Sequence, residues 1–189
     1  MAVGHTMASR ERLVERMKDG DVEAFSVVFD EYHARLCRYL GSLVRDPALA
    51  EDLVQETFIK AYQAIERSGA PQNLTAWIYT IATNTALSAL RRRRILSWLP
   101  IHGNEEIEAQ ASDVDLETLV GDRAVLAQVF GRLPRQDVAC LLLHFQQGLS
   151  YTELAAVLGI SIPAAKMRLS RARAAFRDTY TRVCPGGEP

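Results

Sequence analysis

Between Ser161 and Arg182 six basic residues stand against a single acidic one, and Lys166, Arg168, Arg171 and Arg173 lie within eight positions of one another. Cations at that density suit nucleic acid, because Lys and Arg neutralise phosphates and can also reach the O6 and N7 acceptors of guanine. On a wheel of 100° per residue, Ile162, Ala165, Leu169, Ala172 and Phe176 gather on one face, which is expected to pack inward. The opposite face carries Pro163, Ala164, Met167, Ser170 and Arg171, with Lys166 on one flank and Arg168 on the other. Those flanks are where the two phosphate walls of a major groove would stand, and Arg173 and Arg177 extend the charge toward the helix end. Pro163, Ala164 and Met167 offer few hydrogen bonds to base edges, so readout is expected to lean on Arg171, Lys166, methyl contacts and DNA shape.

The elements that must hold this surface can be read from their caps. Ser150 and Glu153 have capping-box spacing, and their helix carries Leu154, Ala155 and Leu158 before Gly159 supplies a left-handed stop. Ser161 caps the next helix, with Pro163 in its first turn. Two short helices joined by a glycine-containing turn form a helix-turn-helix, whose second helix enters the major groove. A solvated basic face on a packing helix is the plainer alternative for Lys166 to Arg177; the capped turn and one-sided charge favour DNA.

The rest of the chain is read as helical throughout. Ser9 can cap a short helix ending near Asp19-Gly20, and Asp21 a longer one bearing Val22, Phe25, Phe29, Tyr32, Leu36 and Leu40 at core-facing spacing. Asp46-Pro47 restarts a helix through Leu49, Leu53, Ile59 and Tyr62 to about Glu66, and a turn-rich stretch follows over Arg67–Asn73. Leu74, Trp77, Ile78, Ile81 and Leu87 mark a fourth helix running into four consecutive arginines, Arg91 to Arg94. Helicity resumes near Leu119 through Val125, Leu126, Val129, Phe130 and Leu133, breaks at Pro134, and continues through Val138, Leu141, Leu142 and Phe145 to a break at Gln147-Gly148. The class is all-α: two small helical domains joined by an acidic linker. That linker spans 99–118, and from Leu99 to Asp122 there are seven acidic residues and no Lys or Arg.

At 189 residues and 48% hydrophobic composition there is material for two small cores. The formal net charge of -1 hides two basic stations flanking an acidic one, and local charge decides whether phosphate is attracted. Cys37, Cys140 and Cys184 are too few and too scattered for a disulfide framework or a zinc cluster, and a reducing cytoplasm fits them. His33 and Cys37 share a helix face, but two ligands do not make a metal site. His144 is expected at the edge of the core. Phosphate-binding glycine loops, nucleophile elbows and catalytic carboxylate pairs are absent from the sequence, so neither enzyme activity nor a cofactor is expected. No apolar run is long enough to span a membrane or form a signal peptide. Residues 1–6 are expected to lie outside the fold, with Met7 an alternative start.

The segments "DPALAEDLVQETFIKAY", "NLTAWIYTIATNTALSALRRRR" and "LPRQDVACLLLHFQQGLSYTELAAVLGISIPAAKMRLSRARAAF" together resemble the extracytoplasmic-function group of sigma-70 family factors. The resemblance runs from Asp21 to Arg177 and implies a region 2 domain over 9–98, the linker, and a region 4 domain over 119–183. It further implies that Asp52, Gln55 and Glu56 dock on the clamp helices of core RNA polymerase. Asp52 and Glu56 share a helical face, where like charges repel unless a basic partner compensates.

By the same resemblance the helix from Leu74 to Arg94 melts and reads the promoter -10 element. Its candidate DNA contacts are Gln72 and Asn73 in the preceding loop, then Asn84, Tyr79 and Thr83, and the phosphate-neutralising Arg91, Arg92, Arg93 and Arg94. Trp77 and Ile81 are expected in the core. Ser161, Pro163, Ala164, Lys166, Met167, Arg168, Ser170, Arg171 and Arg173 are the corresponding candidates for the -35 element. Implied partners are core RNA polymerase, promoter DNA and a cognate anti-sigma factor, which can hold a cytoplasmic sigma factor at the membrane without membrane insertion by the factor itself. Two rivals are a stand-alone helix-turn-helix regulator, usually a dimer on a palindrome, and an adaptor whose helix-turn-helix has lost DNA contact.

Overall fold

The computed structural model describes residues 12–17, 19–69, 71–96 and 120–184. The expected Ser9 cap, residues 1–6 and the 99–118 linker lie outside the described residues. A helical segment at 12–17 precedes α1 (Val22–Val44), α2 (Pro47–Ser68) and α3 (Leu74–Leu96). Then come α4 (Val120–Arg132), α5 (Arg135–Leu141), a π-helical turn (Leu142–Gln146), α6 (Tyr151–Leu158) and α7 (Ile162–Val183). No strand occurs among the described residues.

The caps form where side chains can satisfy the free N–H groups of a helix start. Asp21 accepts from the backbone N–H groups of Glu23 and Ala24, and Asp46 accepts from Leu49 with Pro47 just inside α2. Asn73 holds α3 in the same way, its Oδ1 taking the Ala76 N–H at 3.0 Å. Pro134 stands at the start of α5, as its missing donor requires.

The first three helices pack on one another around Tyr32, Leu36, Tyr39, Leu40, Leu43, Leu53 and Ile78, while α7 packs on α4, α5 and α6 around Val129, Val138, Leu143, Leu154 and Leu169. The two bundles also meet directly, α3 against α6 and α1 against α5. Trp77 and Ile81 are partly buried, and Trp77 packs against the core.

Several expected core residues instead face outward. Val22 is 68% exposed, Phe29 38% and Ile59 58%, because each lies at the margin of the apolar stripe of α1 or α2. Ile162, expected on the inward face of α7, is exposed because it occupies the first turn, before the helix meets its neighbours. The π-turn was not legible from periodicity. Its wider turn rotates the residues after Leu143 out of α-helical register, and Phe145 emerges 60% exposed.

Candidate nucleic-acid interface

The helix-turn-helix is held by a complete capping box. Ser150 Oγ accepts the Glu153 N–H, and Glu153 Oε2 accepts the Ser150 N–H at 2.7 Å. Gly159 then takes φ 64°, ψ 35°, a left-handed conformation that suits glycine, and Ser161 Oγ accepts the Ala164 N–H at the start of α7.

On α7, Ala165, Leu169 and Ala172 are buried, while Ser161, Pro163, Ala164, Lys166, Met167, Ser170, Arg171 and Arg173 are exposed along the opposite side. Lys166 Nζ lies 5.4 Å from the centre of the Tyr151 ring, and the Arg173 guanidinium 5.7 Å from that of Phe145. Two exposed aromatics thus support two of the cations on this surface. Arg168 differs from expectation: half-buried, it donates from Nη1 to Gln136 Oε1 at 2.7 Å, drawing its guanidinium back toward α5.

Asp52 and Gln55 are exposed on α2, and the partly buried Glu56 is paired with Lys60 at 2.6 Å, so the compensating cation comes from the same helix. Beside them Phe25, Phe29, Phe58, Ile59 and Tyr62 line a shallow apolar groove, with Phe29 and Phe58 rings 4.6 Å apart. The exposed Phe29 and Ile59 were read as core, so the groove was missed.

The expected -10 contacts divide. Gln72, Asn73, Asn84, Arg91, Arg92 and Arg93 are exposed, and Arg93 is paired with Asp46 at 2.7 Å. Arg94 belongs to α3, but its side chain lies outside the described residues. Thr83 is buried: its hydroxyl donates to the Tyr79 carbonyl at 2.6 Å and accepts the Tyr39 hydroxyl at 2.7 Å, a structural arrangement that takes it out of the base-contact set. Tyr79 is also fully buried, its ring edge-on to Tyr39 and its hydroxyl donating to Gln147 Oε1 at 2.5 Å. Burial foremost pushes its pKa up to about 12, so it acts as a hydrogen-bond donor.

Gln147 is one of the residues through which the two bundles join in polar contact, and none of these contacts was foreseen. Its Oε1 also accepts from Arg35 Nε at 3.2 Å and Nη2 at 3.1 Å. Asn73 Nδ2 donates to Glu153 Oε1 at 2.5 Å. Arg45 Nη1 reaches the Gly131 carbonyl, and Arg135 Nη1 the Leu43 carbonyl at 2.6 Å. Desolvation, then the neighbouring Arg45, lowers the Arg135 pKa to about 10. His144 sits at the core edge, as expected, with Nδ1 2.8 Å from the Leu149 carbonyl. His33 and Cys37 are 3.9 Å apart, and no group of three or more metal-ligating side chains occurs among the described residues.

Known proteins share both halves of this arrangement. Sigma-70 region 2 matches residues 28–95 and sigma-70 region 4 matches residues 123–176. The RNA polymerase sigma-H factor of Pseudomonas aeruginosa is 31% identical over 180 residues, covering 90% of this chain and 93% of its own. The chain belongs to the sigma-70 family, in its extracytoplasmic-function group. The sigma factor is also 34% identical over 165 residues to BldN, an extracytoplasmic-function sigma factor of Streptomyces coelicolor, covering 85% of this chain and 61% of that one.

Among solved structures, the sigma factor RpoE of Bartonella quintana, in complex with the anti-sigma factor NepR, is 27% identical with a TM-score of 0.61. That match covers 82% of this chain and 95% of the other. CnrH, in complex with the cytosolic domain of CnrY, shares the fold at 24% identity and TM-score 0.67, covering 88% and 94%. The protein is a transcription initiation factor of RNA polymerase. No helix among the described residues is long and apolar enough to cross a membrane.

Proposed function

We propose that this sigma factor brings core RNA polymerase to its promoters through two surfaces, one in each bundle, and catalyses no reaction itself. The observation that carries the reading is α7, which is capped by Ser161, anchored inward by Ala165, Leu169 and Ala172, and presents Lys166, Met167, Ser170, Arg171 and Arg173 outward. This is the geometry by which a recognition helix reads the -35 element from the major groove. Arg171 and Lys166 supply base-edge donors, Pro163, Ala164 and Met167 apolar contacts, and Arg173 a phosphate contact.

Region 2, over 9–98, holds the polymerase clamp through Asp52, Gln55 and Glu56. It takes the melted -10 strand on Gln72, Asn73 and Asn84, with Arg91, Arg92 and Arg94 neutralising phosphates. The acidic linker over 99–118 follows the nucleic-acid path of the polymerase and leads to region 4 over 119–183. A cognate anti-sigma factor covers these surfaces until a signal arrives, and the factor works in the cytoplasm.

The polymerase half is tested by reconstitution of holoenzyme. Asp52→Lys together with Gln55→Ala is expected to weaken binding to core polymerase at least tenfold while helical content is unchanged. Binding at wild-type affinity would move the polymerase contact away from α2.

A further inference from the structure

Three rings of region 4 stand in a row beside α7. Phe145 and Tyr151 are both exposed, and the His144 ring lies between them, edge-on to Phe145 at 4.9 Å and stacked on Tyr151 at 5.2 Å. A carbonyl only accepts, so His144 Nδ1 donates to Leu149 at 2.8 Å and fixes the middle ring in place. Each end of the row meets a cation of α7, Arg173 over Phe145 and Lys166 over Tyr151. Lys166 and Arg173 are seven residues apart, two helical turns, so they share one flank of α7 at about 10 Å along its axis.

The row is built by two local features. The π-turn brings Phe145 outward, and the Ser150 cap makes Tyr151 the first residue of α6. A ring as exposed as Phe145 adds little to a core, and π-turns gather at functional sites. Its chemistry also differs from that of a carboxylate. Arg93 is held by Asp46, which offsets its charge. An aromatic face instead attracts a cation through its quadrupole, leaving the positive charge whole and N–H groups available to a second partner. Neither Lys166 nor Arg173 is in an ion pair among the described residues. On the opposite flank, Arg168 is drawn back to Gln136.

We propose that Phe145 and Tyr151 are positioning residues for promoter binding: they hold Arg173 and Lys166 along one flank of α7, set for the phosphates of one DNA strand. The inference rests on the reading of α7 as the recognition helix. Long cationic side chains lose rotamer freedom when they meet phosphate, and a side chain already resting on a ring has less to lose. The rings thus raise affinity by ordering the cations, and the two phosphate walls of the groove are met unequally, by held cations on one side and by a withdrawn Arg168 on the other.

The test is a pair of double-mutant cycles in reconstituted holoenzyme, read as affinity for a duplex carrying the promoter region upstream of the factor's own gene. Leucine keeps an apolar side chain and removes the π face. Phe145→Leu is expected to weaken binding about threefold, Phe145→Tyr to restore it, and Tyr151→Leu to bind about threefold more weakly than Tyr151→Phe. The loss from Phe145→Leu should vanish when Arg173 is already alanine, and that from Tyr151→Leu when Lys166 is already alanine. A ring that merely supported the fold would weaken binding equally in both backgrounds. Helical content and affinity for core polymerase, measured on the same variants, are expected to stay at wild-type values.

Full-strength binding by both leucine variants, or the same loss with and without the partner cation, overturns the positioning role. If in that case Lys166→Ala, Arg171→Ala and Arg173→Ala still weaken binding, α7 remains the recognition helix and only the role of the rings is lost. If those three variants bind as wild type, the recognition helix and the positioning role are both overturned.

Discussion

Arg45 donates from Nη1 to the carbonyl of Gly131, 86 residues further along, while its own backbone sits in the left-handed region at φ 59°. It is the only non-glycine residue among those described to do so, and it occupies the C-cap of α1, a position that favours glycine. A side chain retained there carries the contact to region 4. Arg45→Gly is therefore expected to slow amide exchange at the end of α1, by relieving about 1 kcal/mol of backbone cost, and to loosen the junction between the bundles. Exchange at α1 together with interdomain energy transfer checks both signs.

Gly131 lies on the other side of this contact. A Cβ added there would meet Arg45 Nη1 at 3.0 Å, closer than ordinary packing. Gly131→Ala should gain up to about 1 kcal/mol of helix propensity in α4 while displacing the guanidinium. The expected result is a higher unfolding midpoint with a less closed chain, read by urea titration and energy transfer on the same samples.

Thr83 is predicted to be structural. Its one hydrogen is given to the Tyr79 carbonyl, so the Tyr39 hydroxyl must donate to it, and burial pushes the Tyr39 pKa above its ordinary value. Thr83→Val leaves that hydroxyl buried without an acceptor, at a cost of about 1–3 kcal/mol. Urea unfolding should show the loss. Promoter preference should not change, and an altered preference would return Thr83 to the DNA contacts.

The acid limb of stability should trace to particular carboxylates. The Leu49 N–H, then Arg93, hold the Asp46 carboxyl below its usual range. Desolvation raises that of Glu153, but hydrogen bonds from Ser150 and Asn73 outweigh it and leave the pKa lowered. With folded values below unfolded ones, this stability is fully present above the unfolded pKa of about 4 and is lost as pH falls through the folded values. Asp46→Asn keeps the cap and should flatten the decline in stability below about pH 4.5, measured as urea midpoint against pH.

On α7 the cations and the apolar groups should separate by salt dependence. Lys166→Ala is expected to reduce the slope of log affinity against log salt by about 1, with part of the loss common to all duplexes. Met167→Ala should leave that slope alone and change the ranking among -35 sequences. Filter binding across a salt series on two duplexes checks both.

What was legible in the sequence was local. Ser150 with Glu153, Gly159, Ser161, Asp21 and Asp46-Pro47 each act within four residues of their own position, and each caps or stops a helix where expected. The exposed face of α7 followed from the same helical period, except that Arg168 turned toward Gln136. Partners 68 to 112 residues away were not legible: nothing in the spacing of Arg35, Arg45, Asn73, Tyr79 or Gln147 says which side chain the other bundle brings to it. The π-turn escaped because a single wide turn within an apolar run looks like continuing helix, and helical periodicity gave no sign that Phe145 would emerge exposed. Thr83 was misread because a polar residue in a buried helix signals an unsatisfied group without saying whether DNA or another helix satisfies it.

Initiation itself is tested most directly by run-off transcription with core RNA polymerase on the promoter region upstream of the factor's own gene, comparing wild type with Arg171→Ala. The account predicts a discrete transcript that requires the factor and falls at least tenfold in the variant, with holoenzyme formation unaltered. A factor that binds core polymerase yet yields no promoter-specific transcript, or a variant that initiates as well as wild type, would contradict it.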